Sequence, residues 1–323
     1  MPISLDDLNR ARDRLTGHVH LTPIQSSSQL SGRIGCRLHF KCENLQKTGS
    51  FKVRGALSLM SQLDDEQKQK GVVTISAGNH AQAVAWAAAK SGTRATVVMP
   101  QSASPAKVEA SRGYGAEVIL HGDVFAAFAK AHSLEAERDL TFVHPFDDER
   151  IIAGAASVGM EILEQVADVD LIVVPIGGGG LIAGIATAVR QLQGEVRVYG
   201  VEPVGAAAMR KSLDEGAASH IGRVDTIADG LAPPMAGEIN YEIVKDSVED
   251  VVLVSDDEII EAMRQILSRA KLLVEPSGAA STAALLAGKI PIKPTDRVVA
   301  VLSGGNVGLD AVVELLDRET GGS

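Results

Sequence analysis

Four short stretches hold the residue types from which chemistry is built. Lys52 lies in TGSFKVRG, between Gly49 and Gly55, in a chain with 31 Lys and Arg against 41 Asp and Glu and a formal net charge of −10. A lysine that is partly desolvated, or that sits near other cations, loses proton affinity and becomes a nucleophile able to form a Schiff base. Phe51 beside it argues for partial burial, and Lys47 and Arg54 are the nearby cations that would lower its pKa. The competing reading is a solvated lysine on a helix, the commoner state of any single lysine.

Gly177, Gly178, Gly179 and Gly180 form an unbroken run after an apolar segment and before a helical one. Consecutive glycines let backbone N–H groups crowd around an anion, and a helix N-terminus behind them adds about half a positive charge. The run is a phosphate cradle in composition. It is not a P-loop, for no Gly-Lys-Ser/Thr follows, and GGGGLIAGIA is not a dinucleotide fingerprint. A tight strand-to-helix turn is the alternative, although a turn needs only one or two glycines. SAGNHAQAVA (76–85) brings Ser76, Asn79 and His80 to a second such loop, either to bind a carboxylate or phosphate or as a plain helix cap. LSGGN (302–306) is the third, where Ser303 either hydrogen-bonds a ligand or shapes the turn.

Short Val- and Ile-rich runs alternate with Ala-rich segments of helical period, and these must position the four stretches. GVVTIS (71–76), ATVVMP (95–100) and AEVILHG (116–122) are each followed by a helical segment. VDLIVVPIGGGG (169–180), VRVYGVEP (196–203) and DRVVAVLSGGN (296–306) repeat the pattern later. The alternation predicts an α/β fold of two open, twisted parallel-sheet domains, with the active loops at the strand C-terminal ends. If the three glycine loops share one sheet edge, an anionic small molecule can lie across them. Residues 71–147 are the expected small domain; 1–70 and 148–323 form the large one. SDDEIIEAMRQILSRAKLL (255–273) reads as a helix opened by a capping box of Ser255 and Glu258, and Ser4 caps an amphipathic N-terminal helix.

The acidic balance repels phosphate backbones and argues against nucleic acid as a partner. Two cysteines, Cys36 and Cys42, are too few for a disulfide framework and suit a reducing cytoplasm. The N-terminus has no apolar run of the signal-peptide kind, and no stretch of 18 apolar residues exists to span a membrane.

With these stretches in hand, KTGSFKVRGA, SAGNHAQAVA, IGGGGLIAG and LSGGN, in that order, resemble the pyridoxal-phosphate enzymes of the tryptophan-synthase β-type fold (fold type II). The branch they look most like is that of threonine/serine dehydratases and serine racemases. HLTPIQSS (20–27), HPFDDERIIAG (144–154), TIADGLAPP (226–234) and KLLVEPSGA (271–279) extend the resemblance over nearly the whole chain. It implies that Lys52 forms the Schiff base with pyridoxal 5'-phosphate and removes the substrate α-proton. It implies phosphate contacts from the N–H groups of Gly177, Gly178, Gly179, Gly180 and Leu181, a ring-hydroxyl bond from Asn79, a pyridine-nitrogen bond from Ser303, and ring packing by Phe51. Ser76, Asn79 and His80 would hold the substrate carboxylate. The implied activity is dehydration of a β-hydroxy amino acid such as L-threonine, L-serine or 3-hydroxyaspartate to a 2-oxo acid and ammonia, in a homodimer or homotetramer.

Three departures shape that expectation. Racemases of the branch carry a serine where Ala77 stands, so dehydration is favoured over racemisation. At the divalent-metal site of some members, Glu202 matches a ligand and the Ala206 carbonyl is in place, but Ala208 replaces the acidic ligand, which leaves a remnant of a magnesium site. Where dehydratases of the branch read AGQGT, this chain has AGAASVG, and Ala155 and Ala156 are expected in a loop near the substrate. No appended regulatory domain is expected. The other readings are serine racemase, β-replacement, and a small-anion binding protein that has kept the fold without catalysis.

Overall fold

The computed structural model of the chain describes residues 3–318. Among the described residues there are ten strands: β1 Ile24–Ser26, β2 Arg37–Cys42, β3 Val72–Ile75, β4 Ala95–Met99, β5 Glu117–Leu120, β6 Thr141–Phe142, β7 Leu171–Pro175, β8 Arg197–Pro203, β9 Asp250–Val254 and β10 Arg297–Leu302. They form two sheets. One has six strands in the order β1-β2-β10-β7-β8-β9, the other four in the order β5-β4-β3-β6.

The small sheet is parallel throughout, as strands joined by crossover helices must be. The large sheet is parallel except at its edge, where β1 runs antiparallel to β2. The expected parallel sheets are present, with one antiparallel strand added at the edge of the larger. The two strands are joined by the short helix Ser28–Ile34, closed by Gly35 in the left-handed conformation, and the chain turns back on itself there.

Every residue of β7 is buried, as in a strand with helices on both faces. The apolar clusters around the large sheet are aliphatic, built from residues such as Ile172, Val174, Ile182 and Val299. The cluster behind the small sheet joins Val72, Val84 and Val97 to Val53, Ala56 and Met60 of the helix Lys52–Met60. Ser255 and Glu258 do form a capping box, but the α-helix ends at Gln265. A π-helical turn, Ile266–Ala270, follows, closed by Lys271 at φ 60°. Among the described residues no helix is long and apolar enough to cross a membrane.

Candidate active site

The three glycine loops do converge, but from two sheets rather than along one edge. The loop after β3 belongs to the small sheet; those after β7 and β10 belong to the large one. Hydrogen bonds tie the loops after β3 and β10 together, and the loop after β7 packs at Gly178 on Phe146, next to Pro145, whose carbonyl accepts from Lys52. Asn79 donates from Nδ2 to Glu275 Oε1 at 2.6 Å and accepts at Oδ1 from Asn306 Nδ2 at 2.7 Å. Asn306 also donates to the Thr48 carbonyl at 2.6 Å, Phe51 N–H to the Ser303 carbonyl at 3.1 Å, and Gly305 N–H to the Gly49 carbonyl at 2.9 Å. The segment carrying Lys52 is thereby bound to the segment after β10.

Lys52 opens the helix Lys52–Met60 and is half-buried. Its Nζ donates to the Pro145 carbonyl at 2.8 Å and lies 5.2 Å from the centre of the Phe51 ring. Burial pulls its pKa down to about 8. Desolvation is the cause, which corrects the role expected of Lys47 and Arg54. Lys47 sits over the Trp86 ring, and Arg54 is fully buried between Glu43 and Glu161, its charge met by theirs.

The glycine run behaves as a cradle. Gly179, at φ +100°, caps the helix Gly180–Leu192, a conformation that favours glycine. A side chain at Gly178 would put its Cβ 2.3 Å from the Phe146 ring, so an aromatic ring lies flat against the bare backbone there. Asn240 fixes the loop by donating to the carbonyls of Gly178 and Phe146 at 2.9 and 3.1 Å. Among the described residues, the N–H groups of Gly177 to Leu181 have no protein acceptor. Ser303 is buried, and its Oγ reaches only the Ser277 carbonyl, at a long 3.4 Å.

The loop after β3 is polar in its backbone more than in its side chains. Ser76 Oγ accepts from Gly78 N–H at 3.1 Å. The His80 imidazole is buried against the Val143 carbonyl (Nε2 to oxygen 3.3 Å), and burial, helped by the Lys52 charge, holds its pKa well below the usual histidine range. His80 therefore brings a backbone N–H, not a cation, to any carboxylate. Ala77 is half-buried in the same loop.

Four other expected residues lie in the scaffold. Glu202 is fully buried, and its two oxygens accept from the N–H groups of Met209 and Arg210, both at 2.8 Å. It caps the helix Ala208–Glu215, so its oxygens are taken by the helix rather than turned to a cation; Ala206 is buried in the turn just before it. Ala155 and Ala156 are not in a loop. They lie inside the helix Glu149–Gln165, buried in apolar clusters with Ile182, Ile185, Ala183 and Ala186.

Sequence reasoning passed over Glu275, Asn306, Phe146 and Asn240. Glu275 had a signal: an acid between an apolar run and Pro276, the first residue of the helix Pro276–Leu286. It is 9% exposed, and burial pushes its carboxyl up to about 7.

A family model described as "Pyridoxal-phosphate dependent enzyme" matches residues 15–304. The chain belongs to that family. It is 45% identical over 312 residues to an L-threonine ammonia-lyase of Geobacter sulfurreducens, covering 96% of this chain and 77% of that one. It is 42% identical over 317 residues to the catabolic L-threonine dehydratase TdcB of Escherichia coli K12, covering 98% and 96%. Maize serine racemase superimposes with a TM-score of 0.93 at 37% identity, covering 97% of each chain. The family's cofactor suits what this chain offers. It brings a phosphate for the free N–H groups at a helix N-terminus, an aldehyde for a low-pKa amine, and ring polar atoms for the Ser303 hydroxyl and the second Asn79 amide proton.

Proposed function

We propose that this protein is a pyridoxal-phosphate-dependent ammonia-lyase that dehydrates a β-hydroxy amino acid, with L-threonine and L-serine as leading substrates, to a 2-oxo acid and ammonia. The observation that carries this reading is the state of Lys52. A pKa of about 8 leaves roughly two orders of magnitude more free amine at pH 7 than an ordinary lysine has. Such an amine can both bond to a carbonyl and take a proton from carbon. The relatives named for threonine deamination supply the substrate class.

When bound, the cofactor supplies an aldehyde carbon and a ring that withdraws electrons from the substrate α-carbon. The chain's residues then have these roles. Gly177 to Leu181 would hold the phosphate through backbone N–H groups, Ser303 would serve the ring nitrogen and Asn79 the ring hydroxyl, and Phe51 would pack on the ring. Ser76 and the N–H groups at Asn79 and His80 orient the substrate carboxylate. Lys52 Nζ takes the α-proton, the β-hydroxyl takes up one proton and leaves as water, and the released unsaturated amine adds one water and loses ammonia to give the 2-oxo acid. Ser303 is uncharged, which suits elimination, since a full charge sink at the ring is not needed. Ala77 has no proton to give on the far side of the α-carbon, which supports elimination over inversion.

In the same reading, residues 71–147 form a small domain against a larger one, and the protein works in the cytoplasm as a homodimer or homotetramer. The test is to supply purified, cofactor-loaded protein with L-threonine, L-serine, threo-3-hydroxyaspartate and phenylserine, and to measure 2-oxo acid and ammonia. Chiral analysis of the residual serine completes it. D-serine formed faster than pyruvate would overturn the proposal in favour of a racemase.

A further inference from the structure

Behind Lys52 lies a buried cluster of four charges. Arg54, Lys41 and Glu43 are fully buried and Glu161 is 9% exposed. Arg54 reaches Glu43 with Nε and Nη2, both at 2.8 Å, and Glu161 with Nη1 and Nη2, at 2.6 and 2.9 Å. The same guanidinium donates to Ser157 Oγ at 3.0 Å and to the His20 carbonyl at 3.3 Å. Lys41 Nζ completes the cluster on Glu161 at 2.5 Å, the Gln165 side-chain oxygen at 2.8 Å and the Thr22 carbonyl at 2.9 Å.

The placement of this cluster is specific. Arg54 follows Lys52 by two residues in one helix, so the two side chains leave the axis about 200° apart. One points to the cleft, the other away from it. The guanidinium is a rigid planar fork, and two bidentate carboxylates accept it at only one roll of the helix. Glu161 and Ser157 share a stripe of the helix Glu149–Gln165 with Gly154, at spacings of three and four. At Gly154 the backbones meet: a Cβ there would lie 2.5 Å from the Arg54 carbonyl and 2.8 Å from Gly55 Cα. The close approach sets the height of the helix, and the ion pairs set its roll. A buried ion cluster is often no more stabilising than apolar residues of the same size, so stability alone does not account for it.

We propose that the Arg54–Glu43–Glu161–Lys41 cluster is the positioning device for Lys52: it fixes the roll of the helix Lys52–Met60 and so aims the amine at the cofactor carbon and the substrate α-proton. This rests on Lys52 being the reacting amine. The wild-type visible band, and its loss in Lys52→Ala, check that point separately.

The test uses the cofactor-loaded enzyme and two variants. Glu161→Gln is expected to lower kcat at least about tenfold with KM within about threefold. It should also speed the release of the cofactor from Lys52 by hydroxylamine about tenfold, all measured well below its melting temperature. In the second variant Arg54→Met, Glu43→Leu, Glu161→Leu and Lys41→Met are combined, which is expected to keep the melting temperature while kcat stays low. A Glu161→Gln enzyme that melts earlier but has wild-type kcat and hydroxylamine sensitivity would overturn the proposal. So would a combined variant with wild-type kcat. If the combined variant does not fold, the Glu161→Gln measurements decide.

Discussion

The tripeptide Val-Glu-Pro occurs twice, at 201–203 and 274–276, and the two copies have different fates. Both glutamates are buried, and burial pushes both carboxyls up to about 7. Glu202 gives both oxygens to the first turn of the next helix. Glu275 gives one oxygen to the amide of Asn79, on the opposite sheet's loop. One acid closes a helix end and the other joins the two halves of the active site. The same local sequence and the same burial therefore say nothing about role; the partner does.

Four experiments sharpen or break that contrast, the largest effect first. Lys52→Ala sets the scale for a residue that does the chemistry: turnover should fall at least about 10³-fold, with the visible absorbance of the bound cofactor at Lys52 gone. Glu202→Ala should act on stability alone. It strips two helix N–H groups of their acceptor and should cost about 2–4 kcal/mol by denaturant melts, with kcat per folded molecule unchanged. Glu275→Gln should do the reverse, lowering kcat about tenfold, or about 1.4 kcal/mol of barrier, while a melt at about pH 4.5, where the wild-type carboxyl keeps its proton, moves little. If these two phenotypes are exchanged, the contrast drawn from their partners fails. Dialysis against EDTA should leave activity within twofold. A strong loss restored by magnesium would show Glu202 to be a ligand rather than a cap.

The pH dependence follows from the sign of the shifts. A carboxyl with a folded pKa of about 7 and an ordinary value near 4.5 holds its proton longer in the native state. Its contribution to stability is intact below about 4.5, falls as the pH rises to about 7, and above that is lost by up to about 3 kcal/mol. Glu275→Gln removes one such group, so its stability profile across this window should be flatter than that of the wild type. An unchanged slope would mean that Glu275 is ionised in the native protein at pH 6.

Much of this was legible in the sequence because local patterns decided it. Alternating Val-rich and Ala-rich segments marked β3, β4, β5, β7, β8 and β10, and the capping box at Ser255 and Glu258 formed as its spacing requires. β2 was not marked, since RLHFKC carries Arg37 and Lys41, and only the distant Glu161 makes Lys41 acceptable inside. Arg54 read as a cation acting on Lys52 for the same reason: its partners lie 11 and 107 residues away. Ala155 and Ala156 were expected at the substrate because their neighbours in the chain are motif residues, yet a helix turns successive residues to different faces. What local patterns leave open is which long-range partner a buried polar group meets, and most of the site is made of such groups.

The order of strands in the large sheet bears on how the enzyme is made. Among the described residues β2 has only β1 and β10 as neighbours, and Ser50 bridges to Gly304 beyond the end of β10. A ribosome releases the segment that ends at Lys52 some 250 residues before the strand that must receive it. Until Arg297–Leu302 emerges, β2 has an open flank and Lys52 has no floor beneath it. Contacts of such span close late, so the active centre is the last part of the fold to be completed. A chain stopped before β10 could hold the whole small sheet and the glycine cradle and still have no means of seating the amine.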